Sequence, residues 1–314
     1  MNRTDRLLDE LDSAYDRHRL PRFKRLLKYP FSTLWRSTAW HLANHVLGQK
    51  HQALFSTTLF FGAELKVPVP PCQELWLYGL YLDKAEVNLT RFLLLNLDKG
   101  DTFFDVGANV GFYSLLGAEL VGREGEVYSF EPCPTAFPLL QANVDAQSQV
   151  ELVRKALGAA EGDIEFFVAP GVHMVSSSTS REHIKETGVA DQSQSVPVEC
   201  STLDAFSFSN NIFPKIIKLD VEGTEAEVLK GGERLLTERS PIITMEASFT
   251  KSSDKSEEAL QVLRHYGYSP FVIGETGNVT PMCANTIVEF GKTICQDPLF
   301  VHGLDNIVFR KDAG

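Results

Sequence analysis

The sequence predicts an α/β fold in which helices cover both faces of a doubly wound, mostly parallel sheet. From about residue 82 onward, short β-branched or aromatic runs alternate with segments of helical periodicity, which is typical of repeated strand-helix units. Within residues 101–132, an apolar run breaks at glycines, restarts as a helix and ends in a second strand. Such a junction is where ligands bind in open α/β sheets.

Local signals define the elements in chain order. DKAEVNLTRFLLLNL predicts a helix with Asp83 as its N-cap and Gly100 just past its end. The strands predicted after it are TFFDV, EVYSFE, VELVRKAL, IIKLD, IITME and NIVFR, and the helices are FYSLLGAEL, PTAFPLLQANVDA, GTEAEVLKGGERLL and SEEALQVLRHY. In the helix after IIKLD, apolar residues recur on one face, so we expect that helix to pack on the sheet.

Length and cysteine content limit the protein class. The chain of 314 residues is long enough for two units, which we predict to be a basic, mainly helical extension over 1–81 and a main domain over 82–314. The five cysteines are widely spaced and form no C-x-x-C pair, which argues against a disulfide framework and indicates a reducing compartment. No signal-peptide core and no run of about 18 apolar residues is present, so we expect a cytoplasmic protein.

The net charge of −11 is distributed unevenly along the chain. Residues 17–62 contain no Asp or Glu, and basic residues alternate there with Leu, Phe and Trp in a helical pattern interrupted at Pro21 and Pro30. The first interpretation is a helical appendage with a solvated basic face. The second is peripheral contact of residues 17–40 with anionic lipid, or with an anionic glycan or lipid-linked substrate. Nucleic acid is not expected as a partner, because the rest of the chain is acidic and has no recognition motif.

The glycine turn after TFFDV predicts a site for a cationic ligand that contains one nucleoside. Gly107 and Gly111 flank the turn, and we expect a side chain at Gly107 to fill space that the ligand needs. Glu131, ending the second strand, is placed to accept hydrogen bonds from ribose hydroxyls. Asp105 would repel the pyrophosphate of a dinucleotide, and the loop is D-x-G-A-N-x-G rather than G-x-G-x-x-G. S-adenosylmethionine has the required groups, and a glycine turn without any ligand is the competing interpretation.

Three motifs in order resemble the FkbM family of S-adenosylmethionine-dependent methyltransferases. They are FFDVGANVGFYSLLGAELVGREGEVYSFEPCPTAFPLLQANV, KLDVEGTEAEVLKGG and IITMEAS, and the resemblance covers roughly residues 86–246. It implies a class I methyltransferase fold with a Rossmann-like, seven-stranded sheet, and methyl transfer to a hydroxyl of a sugar, glycolipid, polysaccharide or secondary metabolite. By motif, the residues implied to hold the cofactor are Asp105, Gly107, Ala108, Asn109, Gly111 and Glu131. Residues 1 to about 80 lie outside the family pattern.

The motif KLDVEGTE predicts the second half of the site. Lys218 and Asp220 project to the same side of a strand, and a lysine in an apolar strand needs a carboxylate partner. Asp220 ends the strand at the mouth of the crevice, where the transferable methyl group is expected. Glu222 and Glu225 either take part in the chemistry or complement a helix dipole. Glu246 points into the same region and either acts there or pairs with Lys218.

The expected reaction is in-line attack of an acceptor hydroxyl on the sulfonium methyl group. The hydroxyl needs a base or a metal ion that acidifies it, and the catalytic candidates are Asp220, Glu222 and Glu246. Asp220 and Glu246 are also the candidate ligands of an Mg²⁺ ion. A third kind of base is His173, which lies in a serine-rich loop.

Two irregular segments are candidates for substrate contacts. Residues 169–197 lack a sustained apolar period, and a connection of this length is typical of a functional lid or a disordered segment. We favour a substrate-contacting lid. In this lid we expect His173 and His183 to be exposed to solvent rather than catalytic. The stretch 274–303 interrupts the last strands and is a second place where the acceptor could bind.

Three function classes follow from these observations. An S-adenosylmethionine-dependent O-methyltransferase accounts for most of them. A NAD-dependent oxidoreductase is disfavoured by Asp105 and by the glycine spacing. A non-catalytic cofactor-binding or membrane-associated scaffold is disfavoured by the intact Glu131 and Asp220. The identity of the acceptor, O- against N-methylation, metal dependence and oligomeric state stay open at this level.

Overall fold

The computed structural model describes residues 2–20, 53–169, 177–186, 188, 190–248, 254–282 and 304–311. Three sequence predictions fall wholly or largely outside this part of the chain. They concern His173, the basic segment 17–40 beyond Leu20, and the stretch 274–303 beyond Met282.

Strands and helices alternate through most of the described residues. The strands are β1 (Ala53–Thr58), β2 (Glu64–Val69), β3 (Thr102–Val106), β4 (Glu126–Phe130), β5 (Val150–Val153), β6 (Ala156–Leu157), β7 (Gly162–Val168), β8 (Gln194–Ser201), β9 (Ile216–Leu219), β10 (Ile242–Ser248), β11 (Ser269–Ile273), β12 (Val279–Pro281) and β13 (Leu304–Arg310). The helices are α1 (Arg3–Arg19), α2 (Gln73–Tyr78), α3 (Lys84–Asn96), α4 (Phe112–Val121), α5 (Phe137–Val144), α6 (Arg181–Glu186), α7 (Leu203–Asn210), α8 (Glu225–Lys230), α9 (Glu233–Glu238) and α10 (Asp254–His265).

One large sheet carries the fold, with the strand order β12-β11-β13-β10-β9-β3-β4-β5. Within this order, the neighbouring strands β5, β4, β3, β9 and β10 pair in parallel. Strand β13 is antiparallel to both β10 and β11. The strand order reverses between β3 and β9, so their carboxyl ends flank a topological switch point. The predicted doubly wound, seven-stranded sheet of the class I methyltransferase fold is confirmed. Its seven strands, in spatial order, are β5, β4, β3, β9, β10, β13 and β11. The short strand β12 adds an eighth at one edge.

Alternating side chains of the sheet build two separate hydrophobic cores. One face packs against α3, α4 and the N-terminal extension, and it includes Phe103, Val127, Ile216 and Val308. The other face packs against α7 to α10, and it includes Phe104, Tyr128, Ile217, Ile243 and Phe309. Each pair of sequence neighbours, such as Phe103 and Phe104, is divided between the cores because successive strand residues point to opposite faces.

The predicted helices are confirmed with one correction. Asp83 caps α3, since its Oδ1 accepts a hydrogen bond from the Ala85 amide at 2.8 Å. The helix expected over GTEAEVLKGGERLL is divided into α8 and α9 at Gly231 and Gly232. A Cβ atom at Gly231 would lie 2.0 Å from the carbonyl oxygen of Gly158, so glycine lets two backbone segments touch where the helix breaks.

The described part of the extension is helical at both ends but contains an unpredicted hairpin. α1 buries Leu7, Leu11 and Ala14, and it is joined to α3 by the ion pair between Arg91 and Asp12. The antiparallel hairpin β1–β2 and helix α2 follow. Residues of the extension share a hydrophobic core with the main domain, and the division at residue 81 stays a prediction. Within the described residues, no helix is both long and apolar enough to span a bilayer.

A second, smaller sheet lies beside the carboxyl end of the large one. Its strand order is β6-β8-β7, with β7 and β8 antiparallel. The segment predicted as a lid, 169–197, contributes α6 and the beginning of β8, and Ser178 forms an isolated bridge with Phe167 of β7. The described part of this segment is therefore built into regular structure, which the lack of apolar period in the sequence did not predict.

Candidate active site

Polar side chains cross the large sheet in a row on the face that α3 and α4 cover. Strand register places Asp105 between Ser129 and Lys218, and Lys218 beside Thr244. All four side chains are buried. We call these four residues the deep row. Because buried polar groups need partners, a row of this kind in an apolar sheet marks a site rather than a simple core.

A second polar row lies two residues further along the same strands, at the mouth of the sheet. Side-chain alternation brings Glu131, Gly107, Asp220 and Glu246 to this level, and Glu246 is in register with Asn306 of β13. We call these residues the mouth row. Gly107 is the position in this row that carries no side chain, and it lies at the switch point between β3 and β9.

Lys218 joins the two rows. Its ammonium group lies 3.0 Å from Asp220 Oδ2 and 3.7 Å from Asp105 Oδ1, and 5.0 Å from the centre of the Tyr113 ring. Burial alone would lower the pKa of Lys218, but Asp220, Asp105 and Glu86 more than offset this effect and raise it, so the lysine is charged. The predicted carboxylate partner of Lys218 is confirmed; among the described residues it is Asp220 and Asp105, not Glu246.

Asp105 lies beneath the cleft rather than in its wall. It is fully buried, and its Oδ2 accepts a hydrogen bond from Ser114 Oγ at 2.6 Å, which in turn accepts one from Ser129 Oγ at 2.8 Å. Its Oδ1 has no hydrogen-bond partner. Burial raises the pKa of Asp105, against the charge of Lys218 and the Ser114 bond, which lower it. This burial does not fit the predicted direct contact with a ligand, and Asp105 instead contacts Lys218.

Gly107 is required by the backbone of the neighbouring strand. Its φ is +82°, and a Cβ atom would lie 1.8 Å from the carbonyl oxygen of Asp220. The nearest collision is thus with the protein's own backbone, and the expectation that a side chain here would also fill ligand space stays a prediction. The close approach of the two strand ends fixes Asp220 beside the turn, and the Asp220 amide donates to the Val106 carbonyl at 3.1 Å.

The rest of the turn is held by backbone contacts. The amides of Gly107 and Ala108 both donate to the Phe130 carbonyl at 3.0 Å, which ties the turn to the end of β4. Asn109 has the left-handed φ of +50°, and its Oδ1 is buried without a hydrogen-bond partner. Gly111 is the N-cap of α4 with φ +95°, so both predicted glycines occupy conformations that favour glycine.

Glu131 is buried and held by two backbone amides. Its Oε2 accepts from the Asn109 amide and its Oε1 from the Cys133 amide, each at 2.8 Å. Burial raises the pKa of Glu131 from 4.5 to about 7, although both hydrogen bonds act in the opposite direction. Each carboxylate oxygen keeps a second lone pair, so the side chain can accept two further hydrogen bonds.

The mouth row opens into a cleft that encloses ≈ 570 Å³, part of it open to solvent. Of the predicted site residues, those that line it are Gly107, Asn109, Glu131, Asp220 and Glu222. Beyond Glu131 the cleft has apolar walls made by Pro132, Leu157 and Phe166. The lining therefore combines acids, one lysine, Lys155, and an apolar wall. The described lining does not include Asp105, Ala108, Gly111 or Glu246.

The turn after β9 is strained and tied to the serine-rich segment. Glu222 has φ +56°, an uncommon conformation for a residue with a side chain, and its carbonyl accepts from Ser178 Oγ at 2.8 Å. Thr179 Oγ1 lies 3.1 Å from Thr224 Oγ1. Strain of this kind persists where the surrounding structure holds it, and these contacts place the Glu222 side chain at the cleft.

The remaining two acids differ in their surroundings. Glu225 is buried at the start of α8, and its Oε1 accepts from the Gly223 amide at 3.1 Å, as expected for an acid that complements a helix terminus. Glu246 is partly buried, and burial together with Asp220, Glu86 and Glu222 raises its pKa well above the usual range. Glu246 therefore favours the protonated form next to Asp220.

Glu86 was missed by sequence reasoning. It lies on α3, and its Oε2 accepts from Tyr113 Oη at 2.6 Å while its Oε1 accepts from Asn306 Nδ2 at 2.9 Å. Glu86 lies in the first turn of the helix, where an acid commonly complements the helix dipole, so its position alone does not mark it as part of a site. The residue that could have indicated Glu86 is Lys218. A buried lysine attracts nearby carboxylates, and Glu86 acts on its charge together with Asp220 and Asp105.

The carboxylates do not fit a divalent metal ion. The described residues contain no group of three or more His, Cys, Asp or Glu side chains placed to hold one. The Lys218 ammonium group lies between Asp105 and Asp220, where it neutralises charge that a cation would otherwise neutralise. The predicted Mg²⁺ site at Asp220 and Glu246 is therefore not supported by the arrangement.

Known proteins similar to this chain are methyltransferases. Hexuronic acid methyltransferase AglP from Haloferax volcanii is 29% identical over 176 residues, which cover 54% of this chain and 65% of that protein. Methyltransferase sdnD from Sordaria araneosa is 24% identical over 163 residues, covering 44% of this chain and 62% of that protein. The matched region thus spans less than two thirds of either relative.

A solved structure and a family profile complete the comparison. Methyltransferase FkbM from Methylobacillus flagellatus KT aligns with a TM-score of 0.40 and 15% identity, covering 74% of this chain and 56% of that chain. The profile of the methyltransferase FkbM domain matches residues 105–270. This match extends over more than half of the 314 residues and includes the end of β3, the glycine turn, β9 and β10. The chain belongs to the FkbM methyltransferase family.

Proposed function

We propose that this chain is an S-adenosylmethionine-dependent methyltransferase that methylates a hydroxyl group of a sugar, glycolipid, polysaccharide or secondary metabolite. The observation that carries the proposal is the pairing of Glu131 with the glycine turn. Glu131 is fixed by the amides of Asn109 and Cys133, with one lone pair left on each oxygen for the two hydroxyls of a ribose. Family membership supports the same cofactor.

The cleft fits S-adenosylmethionine in its parts. The apolar walls at Pro132, Leu157 and Phe166 suit an adenine ring next to the ribose. The unpartnered Oδ1 of Asn109 is available to a donor such as the amino group of the cofactor. The carboxylates of both rows favour a sulfonium and disfavour a pyrophosphate, which argues against NAD. Glu131, Asn109 and Gly107 would hold the cofactor, and Asp105 would act through Lys218.

In the proposed mechanism the cofactor supplies an electrophilic methyl group, and the protein supplies position and a base. Asp220 lines the cleft, and Lys218 and the Gly107 turn fix its side chain and its backbone. Its carboxylate would accept the proton of the acceptor hydroxyl. The cofactor would supply the methyl group and, with its sulfur–methyl bond broken, would leave as a neutral thioether. Glu222 lines the cleft beside Asp220 and would orient the acceptor. Glu246, whose pKa is raised by burial and by its acidic neighbours, would support Asp220 from β10. Excluding water and aligning the reacting atoms supply most of the acceleration.

The acceptor class is proposed from the relatives. AglP is named as a hexuronic acid methyltransferase, so the first acceptors to consider are hexuronic acids and glycans that contain them. Two further parts of this proposal are a cytoplasmic location and contact of residues 17–40 with a membrane or a lipid-linked acceptor. The structure describes only residues 17–20 of that segment.

The test is methyl transfer from S-adenosylmethionine carrying a labelled methyl group. The purified full chain is incubated with free and glycosidic glucuronic and galacturonic acids, with the matching neutral hexosides as controls. The proposal expects labelled ether product with at least one hydroxyl acceptor, and product hydrolysis to distinguish an ether from an ester or an amine. Label found only as a methyl ester of the carboxyl group would contradict methylation of a hydroxyl. Failure to bind S-adenosylmethionine would contradict the function as a whole.

A further inference from the structure

The described part of the serine-rich segment forms one wall of the cleft. Ser177 and Thr179 line the cleft, whereas Ser178 between them is 1% exposed. Ser178 is held on two sides, because its backbone pairs with Phe167 of β7 and its Oγ donates to the Glu222 carbonyl at 2.8 Å. The wall is therefore fixed both to the small sheet and to the turn that follows β9.

Thr179 presents a hydrogen-bond acceptor to the cleft. Its hydroxyl donates to Thr224 Oγ1 at 3.1 Å, and Thr224 Oγ1 donates its own single hydrogen to the Val221 carbonyl at 3.3 Å. A threonine hydroxyl has one hydrogen and two lone pairs, so Thr179 has used its hydrogen within the protein. A chain of hydrogen bonds in one direction polarises its members, which strengthens the Thr179 oxygen as an acceptor. A ligand group that bonds to this oxygen is therefore a donor.

The acids at this end of the cleft also favour a ligand that donates hydrogen bonds. Asp220 and Glu222 line the cleft in the same turn as Thr224. Carboxylates are acceptors only when they are ionised. The cation of the described lining is Lys155, which follows β5 and is paired with Glu199. A wall of acceptors suits hydroxyl groups, each of which has a hydrogen to donate, better than it suits an anionic group.

We propose that Thr179 is a specificity-determining residue that accepts a hydrogen bond from a second hydroxyl of the methyl acceptor. The inference rests on the proposed function and narrows it to acceptors with two neighbouring hydroxyl groups, as in a sugar ring. Asp220 takes the proton of the reacting hydroxyl, and Thr179 holds the neighbouring one and so orients the ring. An acceptor with a carboxylate in place of that neighbouring hydroxyl lacks the donor that Thr179 requires.

The contacts of Thr179 assign it to the acceptor rather than to the cofactor. The proposed ribose contact is Glu131, and the proposed adenine walls include Leu157 and Phe166. The hydroxyl of Thr179 is instead bonded to Thr224, in the turn that carries the proposed base. Loss of this hydroxyl therefore changes the KM of the acceptor and leaves the affinity for the cofactor in place.

The experiment compares methyl transfer by the unmodified full chain and by Thr179→Val, which keeps the branched side chain but removes the hydroxyl. The control is Thr237→Val, which removes an exposed hydroxyl that donates to the Glu233 carbonyl on α9. The acceptors are the methyl glycosides of glucose, galactose, glucuronic acid and galacturonic acid, and their monodeoxy forms, each lacking one ring hydroxyl. Titration with S-adenosylhomocysteine measures the cofactor affinity of each protein in parallel.

The expected result is a loss on the acceptor side alone. Thr179→Val raises the KM of the best glycoside on the order of fivefold and leaves the affinity for S-adenosylhomocysteine within twofold, while Thr237→Val changes neither. One monodeoxy form that is still methylated shows a similar rise in KM with the unmodified protein. With Thr179→Val the same form shows no further rise, because the hydrogen bond is already absent.

Three results would overturn the proposal: an unchanged KM, a matching loss of affinity for S-adenosylhomocysteine, or monodeoxy forms whose losses are the same in both proteins. Absence of transfer to every glycoside overturns it as well. If S-adenosylhomocysteine still binds in that case, the assignment of the acceptor fails and the cofactor assignment stands. If it does not bind, the proposed function fails too.

Discussion

At the scale of single residues, the site depends on one lysine that pairs with two aspartates. Lys218 lies 3.0 Å from Asp220 Oδ2 and 3.7 Å from Asp105 Oδ1, and both it and Asp105 are buried. Buried charges are tolerated only when they are paired, so removal of one partner leaves the others uncompensated. The proposed base therefore owes its position to a residue that does not meet the acceptor.

Replacing Lys218 with methionine tests this dependence. We expect Lys218→Met to lower the free energy of unfolding at pH 8 by about 3 kcal/mol, because Asp105 keeps no cation near it. Lys215→Met is the matched control: Lys215 pairs with Asp98 and Asp101 near the start of β9, but its side chain is 37% exposed, so the loss stays below about 1 kcal/mol. Urea unfolding measures both. Equal losses would show that the buried cluster contributes no more than a surface pair.

Asp220 itself tests the chemical role. Asp220→Asn keeps a side-chain oxygen near Lys218 but removes the proton acceptor, so we expect methyl transfer to fall on the order of 100-fold or more. Affinity for S-adenosylhomocysteine, measured by titration, stays within threefold, because the ribose and adenine contacts lie elsewhere in the cleft. Unchanged turnover with a working acceptor would remove Asp220 from the role of base.

At the scale of elements, the glycine turn and β9 form one unit. Gly107 allows the backbone of the turn to touch the Asp220 carbonyl, so the turn that meets the cofactor and the strand that carries the base are held together. Gly107→Ala is expected to lower the free energy of unfolding by at least about 3 kcal/mol and to abolish cofactor binding.

Gly62→Ala is the matched control for this substitution. Gly62 has φ +93°, close to the +82° of Gly107, but a Cβ atom there would meet nothing within 4 Å. Only the backbone strain of about 1 kcal/mol is expected. The difference between the two variants, measured by chemical unfolding, isolates the collision with Asp220. A difference near zero would contradict the proposed contact between turn and strand.

The sequence predicted the elements of the core better than the elements at its margins. Strands β3, β4, β9 and β10 were evident because apolar runs end at Asp105, Glu131, Asp220 and Glu246. The hairpin β1–β2 and the strands β7 and β8 were missed, since exposed positions in β1, β7 and β8 weaken their periodicity. The single strand predicted over VELVRKAL is divided into β5 and β6, which belong to different sheets. The role of Glu86 depends on contacts with Tyr113 and Asn306 that are distant in sequence, and no local pattern encodes them.

At the scale of the whole molecule, the buried acids make stability depend on pH. The folded pKa of Glu131 is about 7 against 4.5, and burial raises the pKa of Asp105, Glu86 and Glu225 as well. Between pH 4.5 and about pH 7, the folded state binds more protons at Glu131 than the unfolded state does. The free energy of unfolding therefore falls as the pH rises through this window. Glu131 alone contributes on the order of 3 kcal/mol to this fall.

Thermal unfolding at pH 5.5 and pH 7.5 checks the sign. We expect the ligand-free protein to be more stable at pH 5.5, and the Glu131→Gln variant to show a smaller difference between the two values, because the amide does not titrate. A protein that is more stable at pH 7.5, or a variant with an unchanged difference, would mean that Glu131 is not a buried carboxyl with a raised pKa.

The cofactor is the central claim, and titration of the purified chain with S-adenosylhomocysteine and with NAD tests it most directly. The account predicts micromolar binding of S-adenosylhomocysteine and none of NAD, because Glu131 and the glycine turn suit a single nucleoside and the acidic rows repel a pyrophosphate. Added Mg²⁺ is expected to change neither result. Binding of NAD, or of neither ligand, would contradict the account and leave the family resemblance as a description of the fold alone.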